Sequence, residues 1–457
     1  MSTLERCLDT LRVTSLNRRM GWVREMQGLS IDSQGPDAAV GELCRIMVRD
    51  DKTEGNEAGV LAEVVGLKPG RITLMPYGPV HGVAVGCEVR ALGRKSEIGV
   101  GDALLGRVID GFGAPLDGGA APAVRERRAL KAKPINPMQR PPITQVLETG
   151  IRAIDTLLTL GQGQRVGIFA GSGVGKSTLL GLLARHVKPQ ADANARLHVN
   201  VIALIGERGR EVREFIEKQL GPAGLARSVV VVATSDQPAL ARMRAAYAAL
   251  AIAEHFRDQG CNVLLTMDSI TRFAMARREV GLSAGEPPTA RGYTPSVFAE
   301  LPELCERCGT APGGGSITAL LTVLVEGDDM NEPVSDALRA ILDGHIVLSR
   351  SLAHRGQYPA IDVLKSASRL MPDLADAQHR SLATQAIALL ALLERNRQMV
   401  EIGAYERGSN PALDTALDRE PALLSWLSQT EGGVALADAN EALRQIVQSV
   451  SIGGGKP

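Results

Sequence analysis

A glycine-rich run that ends in a lysine and two hydroxyls occupies residues 170–178, which read Ala-Gly-Ser-Gly-Val-Gly-Lys-Ser-Thr. Its glycines let backbone N–H groups turn toward an anion without Cβ clashes, and the N-terminus of a following helix adds a positive dipole end. Lys176 can reach the β- and γ-phosphates of a nucleotide, and the Ser177 hydroxyl can bind Mg²⁺. The run departs from the phosphate-loop pattern at Ala170, where a glycine is usual. The spacing predicts a nucleoside-triphosphate site. Its predicted contacts are Gly171, Ser172, Gly173, Val174, Gly175, Lys176, Ser177 and Thr178.

Hydrolysis of a bound triphosphate needs a carboxylate, and the residues after a second apolar run supply one. The run 199–205 precedes Gly206-Glu207-Arg208, at the end of a strand, where an open α/β sheet presents its functional groups. Glu207 is predicted to orient and polarise the attacking water, and Arg208 to offset charge on the γ-phosphoryl group. Glu207 could instead interact only with the dipole of the helix that begins near Gly209. The residues alone leave both roles open.

A third apolar run ends in Asp268. A carboxylate in this position, downstream of a phosphate loop, is typical of the second Mg²⁺-site residue, which acts directly or through water. A helix N-cap is the alternative role for Asp268. Arg272 follows shortly after, and the spacing assigns it no role. The stretch 358–369 begins with Tyr358 and ends with Arg369, and its spacing alone fits packing and an ion pair as well as a site.

Apolar runs of strand length alternate with helical patterns after residue 142, and this alternation positions the residues above. It predicts an α/β fold with a parallel sheet covered by helices on both faces. The predicted strands are 165–170, 199–205, 228–233, 262–267 and 317–325, and the predicted helices between them are 177–187, 210–220, 238–258 and 334–342.

The segments on either side of this core follow other patterns. Residues 21–95 carry short period-2 strands divided by Gly and Pro, which predicts a small antiparallel β-barrel. Residues 1–20 have the pattern of a short helix, either a frayed terminus or a docking segment. The Pro- and Arg-rich segment 121–142 is predicted to be a linker or a strap. Beyond residue 376 the pattern is helical. The predicted divisions are 1–20 (helical docking segment), 21–95 (barrel), 96–376 (P-loop domain) and 377–457 (helical domain).

Charge and composition argue against some classes of partner. Lys plus Arg and Asp plus Glu balance at 51 each, and aromatic residues make up 3% of the 457 residues. No overall field therefore favours a nucleic-acid backbone, and base-stacking platforms are scarce. No run approaches the roughly 18–20 apolar residues of a membrane span, and the N-terminus lacks a signal-peptide pattern. We expect a cytoplasmic protein that does not bind nucleic acid.

Several longer stretches resemble the catalytic subunits of the rotary (F- and V-type) ATPase family, and within it the ATPases of flagellar type III protein export. The resemblance covers residues 21 to about 430. It rests on AGSGVGKST at 170–178, GERGREVREFIE at 206–217, LLTMDSITRFAMARRE at 264–279, GEPPTARGYTPSVFAELP at 285–302, GGGSITALLTVLVEGDD at 313–329, DGHIVLSR at 343–350, YPAIDVLKSASR at 358–369 and GAYERGSNPALD at 403–414. It implies a RecA-like P-loop core that binds ATP and Mg²⁺, with an antiparallel barrel before it and a helical domain after it.

The resemblance also implies a role for individual residues. Lys176 and Ser177 would bind phosphate and Mg²⁺, with Asp268 as the second magnesium-site acid. Glu207 would activate water while Arg208 faces the γ-phosphate.

Two roles in the stretch 358–369 come from the resemblance alone. Tyr358 would stack on the adenine. Arg369 would be an arginine finger donated to the neighbouring subunit, a group worth ~10³–10⁵ in rate in other phosphoryl-transfer systems.

The expected partners likewise follow from the resemblance. One partner is the chain itself, as a homohexamer. The others are a coiled-coil stalk in a central pore lined by residues 281–293, a stator-like regulator at the N-terminal helix, and the export gate with its substrate–chaperone complexes. These partners would place the protein at the inner face of the cytoplasmic membrane.

Three alternative functions share part of this pattern. The first is the ATPase of a virulence-type injection apparatus, which shares nearly every motif above with the flagellar ATPases. A ring-shaped RNA translocase of the transcription-terminator type also has a Glu-Arg after its second strand and an Asp-Ser-Ile-Thr-Arg element. The charge balance, the scarce aromatics and the PAIDVLKSAS element at 359–368 argue against it. A nucleotide-binding structural subunit would usually lack Glu207.

Overall fold

Short strands form a closed antiparallel barrel at the N-terminal end of the described chain. The computed structural model describes residues 19–48, 59–187, 198–325, 327 and 329–448. The predicted N-terminal helix lies almost entirely outside these residues, and Met20 already belongs to the first strand. The barrel strands are β1 Met20–Gln27, β2 Ser30–Gln34, β3 Glu42–Ile46, β4 Val60–Lys68, β5 Arg71–Pro76 and β6 Glu88–Lys95, in the spatial order β1-β2-β5-β4-β3-β6.

Alternating apolar side chains fill the barrel, as the period-2 pattern predicts. Val23, Ile31, Ile46, Val64 and Leu74 are among its fully buried residues. The prediction of an antiparallel barrel is therefore confirmed.

The Pro- and Arg-rich segment after the barrel is fastened to the core. Two short strands, β7 Glu97–Val100 and β9 Glu126–Ala129, pair as an antiparallel ribbon, a strand pairing that the linker pattern did not indicate. Arg140 then donates hydrogen bonds to the carbonyl oxygens of Cys308 (2.5 Å) and Glu306. The segment thus acts as a strap over the core.

A large sheet forms the centre of the molecule. In the described chain it has nine strands: β8 Arg107–Asp110, β12 Arg165–Ala170, β13 His198–Ile205, β14 Ser228–Ala233, β15 Asn262–Asp268, β16 Gly309–Thr310, β17 Ser316–Leu324, β18 Gly344–Leu348 and β19 Ala367–Ser368. Their order is β19-β18-β12-β17-β15-β13-β14-β8, with β16 paired on β17. The strands from β18 to β8 in this order are parallel, and β16 and β19 are antiparallel to their neighbours. A separate ribbon pairs β10 Val146–Leu147 with β11 Leu160–Gly161.

The five strands predicted from apolar runs are all present in this sheet. They read as near-continuous apolar runs because helices cover both faces of the sheet. The short edge strand β8 and the strand β18 were not predicted, because four or five residues give too little pattern to detect.

Helices cover the sheet and form the C-terminal part. They are α1 Arg152–Leu157, α2 Lys176–His186, α3 Gly209–Glu214 (continued by a π-helical turn to Leu220), α4 Gly221–Ala226, α5 Ala239–Asp258, α6 Ile270–Ser283, α7 Pro295–Glu306, α8 Pro333–Ile341, α9 Arg350–His354, α10 Met371–Leu374, α11 Ala377–Glu401, α12 Pro411–Leu427 and α13 Leu436–Gln448. Helix α5 is Ala-rich and buried along nearly its whole length, since small side chains let it lie close to the sheet and to α6. Within the described ranges no helix has the length and apolar character needed to cross a membrane.

Capping residues set the starts of the C-terminal helices. Asp376 accepts a hydrogen bond from the backbone N–H of His379 (2.8 Å), and α11 begins at the next residue, Ala377. Asn410 caps α12 in the same way, with Pro411 in the first helical position.

A buried ion pair joins α5 to the end of α7. Arg307 donates to both carboxylate oxygens of Glu254 (2.8 Å each) and to the carbonyl oxygen of Leu130 in the strap. Both charged side chains are almost fully buried, at 2% and 6% exposure. The pair therefore connects the strap to the core.

Breaking this pair is expected to destabilise the fold strongly. Arg307→Leu would leave the Glu254 carboxylate buried without its partner, a change that typically costs about 3–5 kcal/mol. The free energy of unfolding from urea titration measures this loss. The matched control is Arg213→Leu, because Arg213 forms an exposed helical pair with Glu217, which solvent screens so that its loss should change stability little. Equal losses in the two variants would contradict a special role for the buried pair.

A candidate nucleotide site at the carboxyl ends of the strands

The glycine-rich loop joins the carboxyl end of β12 to the first turn of α2. Gly173 and Gly175 have φ angles of 79° and 89°, in the left-handed region that glycine adopts without strain. A Cβ added at Gly173 would meet no atom within 4 Å, so the backbone there is open to a ligand. Ala170 is the last residue of β12 and its methyl group is buried in the core. The departure from the usual glycine therefore leaves the loop unchanged.

Three charged side chains converge beside this loop. The Lys176 ammonium donates a hydrogen bond to Asp268 Oδ1 and lies 3.6 Å from Glu207 Oε1. The hydroxyl of Thr322 on β17 donates to Asp268 Oδ1 at 2.7 Å. Lys176, Glu207 and Asp268 are only 13%, 16% and 5% exposed. Because β12, β13 and β15 are parallel, their carboxyl ends bring these residues to one edge of the sheet.

Burial and the neighbouring Asp268 carboxylate raise the pKa of Glu207 to about 7, and the Lys176 ammonium partly offsets this rise. A carboxylate whose pKa is close to neutral can both hold and release a proton near physiological pH. Perturbed carboxylates in a cleft are typical of functional sites. The raised pKa therefore favours a chemical role for Glu207 over a purely structural one.

The stability of the nucleotide-free protein is expected to depend on pH through Glu207. Its pKa in the folded state, about 7, lies above its ordinary value of 4.5. Below about pH 4.5 the group is protonated in both states, and the penalty for ionising it in the fold grows as the pH rises to about 7. Glu207→Gln should therefore stabilise the protein by about 1–2 kcal/mol at pH 8 and by under half as much at pH 5.5. These energies are smaller than the pKa shift alone implies, because solvent partly screens the carboxylate. Urea unfolding at both pH values measures this, and equal stabilisation at the two would contradict it.

The Tyr358 ring lies against the phosphate loop. A Cβ built on Gly175 would be 3.4 Å from two atoms of the ring, so the ring packs over the backbone of the loop. The side chain is partly open to solvent, with Tyr358 43% exposed. The structure thus brings Tyr358 beside the predicted phosphate contacts and leaves one part of the ring accessible.

Two exposed arginines lie away from the charged cluster. The Arg208 side chain is 82% exposed and pairs with Glu211 at 3.6 Å. Arg369 follows β19, its backbone N–H donates to the carbonyl oxygen of Asp343, and its guanidinium donates to the carbonyl oxygen of Arg339. Ser177, in the first turn of α2, is exposed beside the loop.

The sheet register separates Arg369 from the phosphate loop of its own chain. Ser368 pairs with Gly344, the first residue of β18, whereas Leu348, the last, pairs with Ala170 at the start of the loop. The length of β18 therefore lies between them, roughly 13 Å for four steps at the rise per residue of a strand. Arg369 lies at the amino ends of the strands, and the glycine-rich loop at their carboxyl ends.

Arg272, to which the spacing assigned no role, lies next to the charged cluster. Its Cβ, Cγ and Cδ atoms lie 3.0–3.3 Å from the position of a Cβ built on Gly206, directly before Glu207. Its Nε is buried and has no hydrogen-bond partner among the described residues, a costly state for a charged group. The sequence signal that could have placed Arg272 near the cluster is its position four residues after Asp268, in the Asp-Ser-Ile-Thr-Arg element at 268–272.

Comparison with known proteins finds matches along most of the chain. Family models match in sequence order: the ATP synthase alpha/beta family β-barrel domain at residues 23–93, that family's nucleotide-binding domain at 150–368, and the T3SS EscN ATPase C-terminal domain at 375–445.

Individual relatives agree with the family models. A "Flagellum-specific ATP synthase" of Bacillus subtilis (strain 168) is 52% identical over 95% of this chain and 96% of its own length. A "Type 3 secretion system ATPase" of Xanthomonas euvesicatoria is 49% identical over 94% of this chain and 93% of its own. A solved structure of the assembled ATPase EscN with its central stalk EscO, from enteropathogenic E. coli, aligns with a TM-score of 0.83 and 43% identity, covering 93% of this chain and all of that one.

Proposed function

Because the chain belongs to the ATP synthase alpha/beta family, among the flagellar and type III secretion ATPases, we propose that it hydrolyses ATP to energise export of flagellar proteins through a type III secretion apparatus. The observation that carries the ATPase assignment is the cluster of Lys176, Glu207 and Asp268 beside an open phosphate loop. The export role is supported by the 52% identity to a protein described as a flagellum-specific ATP synthase.

Lys176 is the residue that changes partner when a triphosphate binds. In the described structure its ammonium is shared between two carboxylates. Phosphate oxygens at the loop would draw the ammonium toward the β- and γ-phosphates. Asp268 would then be released from Lys176 and remain oriented by the Thr322 hydroxyl.

The residues near the loop fit Mg²⁺. One hydroxyl, from Ser177, and one carboxylate, from Asp268, suit an ion that keeps several waters and takes its other ligands from phosphate oxygens. When bound, the ion would neutralise charge on the transferred phosphoryl group. Asp268 would act on it directly or through water.

Glu207 would hold the attacking water and accept its proton. Its Oε1 atom lies 3.6 Å from Lys176 Nζ, so a water between Glu207 and a γ-phosphate held by Lys176 is within hydrogen-bond reach of the carboxylate. Arg208 would turn inward from its exposed pairing with Glu211. Arg272, whose Nε has no partner among the described residues, would provide a second cation near the γ-phosphate.

Tyr358 would hold the nucleotide base by stacking. Its ring already packs on Gly175 and keeps an exposed portion. Stacking on an aromatic ring needs no base-specific hydrogen bonds, so this contact contributes affinity more than selectivity among bases.

Arg369 would complete the site of a neighbouring copy. Arg369 lies near the amino ends of the strands, about one strand length from its own loop, and this separation supports a role at the site of another subunit. Identical subunits that complete each other's sites favour a closed ring, and we propose a homohexamer. The likeness to an ATPase solved in its assembled state supports this.

Further partners follow from the same family. Residues 281–293 would line the pore and contact a coiled-coil stalk, as the EscN relative has a central stalk, EscO. The N-terminal segment 1–20 would dock a stator-like regulator. The ring would receive substrate–chaperone complexes at the export gate, at the inner face of the cytoplasmic membrane.

A virulence-type injection apparatus is the second candidate setting. The identity to the Xanthomonas euvesicatoria type 3 secretion ATPase, 49%, is close to that of the flagellar relative. The site chemistry would be identical in both, so only the partners separate them.

Two measurements test the proposed function. The ATPase rate per chain should rise with protein concentration as rings form, and RNA should leave it unchanged. Affinity capture from cell extract should recover flagellar export components. Recovery of injection-apparatus components would support the second setting, and a rate that requires RNA would refute protein export.

A further inference from the structure

The loop between α12 and α13, residues 428–435, joins the C-terminal helices to the candidate nucleotide site. Gln429 in this interhelix loop is 7% exposed. Its backbone N–H donates to the carbonyl oxygen of Tyr358 at 2.7 Å. This hydrogen bond joins the helical part of the chain directly to the residue proposed to hold the base.

The side chain of Gln429 fixes that backbone contact. Its Oε1 accepts from the backbone N–H of Arg152 at 2.9 Å, and its Nε2 donates to the carbonyl oxygen of Gly150 at 2.8 Å. Both polar ends of the amide are therefore satisfied, and both partners lie in the P-loop domain. A buried amide held at both ends has one orientation, and it sets the position of residue 429 relative to Tyr358.

The interhelix loop also contacts the far end of the phosphate-loop helix. Gly433 donates to the carbonyl oxygen of Gly150 at 3.0 Å. Cβ atoms built on Gly432 and Gly433 would lie 2.4 Å and 3.0 Å from the His186 ring, and one on Gly150 would lie 2.5 Å from the backbone of Gly433. His186 is the last residue of α2, so the interhelix loop touches both Tyr358 and the helix that begins with Lys176.

We propose that Gln429 is a positioning residue for the nucleotide base: it holds the Tyr358 ring over the phosphate loop and thereby couples base occupancy to the packing of the C-terminal helices. The proposal rests on the proposed function, in which Tyr358 stacks on the base. Losing the Gln429 amide would free the backbone at 429 and let Tyr358 move from Gly175. The triphosphate contacts at Lys176 and Asp268 would be unaffected.

A purely structural role for Gln429 predicts a different pattern. His379 supplies the comparison, because its Nε2 lies 2.8 Å from the carbonyl oxygen of Thr156 and it also joins the C-terminal helices to the P-loop domain. It is buried like Gln429 and has no contact with Tyr358 among the described residues. If Gln429 serves only domain packing, His379→Ala and Gln429→Ala should have similar effects.

The experiment uses the full chain in its assembled state, with ATP and magnesium tripolyphosphate as probes. Tripolyphosphate binds the phosphate loop but carries no base, so it reports the triphosphate contacts alone. Gln429→Ala should raise KM for ATP by about five- to tenfold, as expected for two lost buried hydrogen bonds, with kcat and the inhibition constant of tripolyphosphate within about twofold of the parent. His379→Ala should leave all three values unchanged.

Further variants keep the proposal testable if Gln429→Ala does not fold. Gln429→Met preserves the side-chain volume and removes both hydrogen bonds, so it should raise KM like the alanine variant. Gln429→Glu keeps the acceptor for Arg152 but places a carboxylate against the Gly150 carbonyl, and it should also raise KM. An unchanged KM in the folded variants, or an equal weakening of tripolyphosphate, would overturn the proposal.

Tyr358→Ala distinguishes this proposal from the one on which it depends. If Tyr358→Ala does not weaken ATP binding relative to tripolyphosphate, base stacking itself is wrong. If Tyr358→Ala weakens it and the Gln429 variants do not, stacking stands and the positioning role is wrong. Combining Tyr358→Ala with Gln429→Ala should add little to either, because both act through the same ring.

Discussion

Replacing Glu207 with glutamine is expected to reduce ATP turnover by ~10²–10⁴-fold while ATP remains bound. Glutamine keeps the size of the side chain but cannot accept the proton of the attacking water. The loop and Lys176, which hold the phosphates, are untouched. Loss of the negative charge also removes repulsion with Asp268, one cause of the raised pKa of Glu207. Equilibrium binding of a fluorescent ATP analogue and single-turnover hydrolysis separate the two effects.

Glu214→Gln is the matched control for this variant. Glu214 lies on the next helix, α3, and pairs with Lys218 on the surface at 2.8 Å, so the same change of charge is made away from the cluster. Its turnover should equal that of the parent. Hydrolysis by Glu207→Gln at the parent rate would remove the carboxylate from the mechanism and leave it the role of a helix-end charge.

The second large effect is expected for Arg369→Ala, which should reduce the turnover of assembled protein by ~10³-fold or more, with nucleotide binding by single chains preserved. Arg369 is exposed and lies at the amino ends of the strands, away from its own loop at their carboxyl ends, so we expect its removal to leave the phosphate contacts of the same chain intact. Arg355→Ala, another exposed arginine, whose Nε donates to a nearby backbone carbonyl, controls for loss of surface charge. Steady-state rates at assembling concentrations give the comparison.

Mixing two inactive variants tests whether Arg369 acts on the neighbouring subunit. A Lys176→Ala chain has an intact Arg369, and an Arg369→Ala chain has an intact loop. In a randomly mixed closed ring at equal amounts, about one quarter of the sites join an intact loop to an intact arginine. Turnover should therefore recover to at most about one quarter of the parent rate and peak near equal amounts. A mixture that stays inactive at every ratio while forming rings would contradict donation between subunits.

The sequence predicts the site best where buried strands bring it together. The apolar runs that end near Ala170, Ile205 and Asp268 form neighbouring or near-neighbouring parallel strands, and parallel strands covered on both faces are recognisable from composition alone. Because carboxyl ends of such strands meet at one edge, the approach of Glu207 and Asp268 to Lys176 follows from their order. The distances between them depend on side-chain orientation, which the pattern does not carry.

Contacts between distant parts of the chain could not be predicted. The Tyr358–Gln429 hydrogen bond joins residues on either side of two long helices, and no local periodicity connects them. The location of Arg369 depends on β19, a two-residue strand that is too short to give any pattern. Its role was inferred from family resemblance, whereas the register of the strands is what separates it from its own loop.

If Arg369 completes the site of a neighbouring subunit, unassembled subunits should differ from assembled ones in ATP hydrolysis. A lone subunit would have a nucleotide site that lacks the arginine of a neighbour, so it would bind ATP without hydrolysing it. Newly made copies could then accumulate without hydrolysing ATP, and assembly at the secretion apparatus would itself start hydrolysis. No separate inhibitor would be needed to keep idle subunits silent.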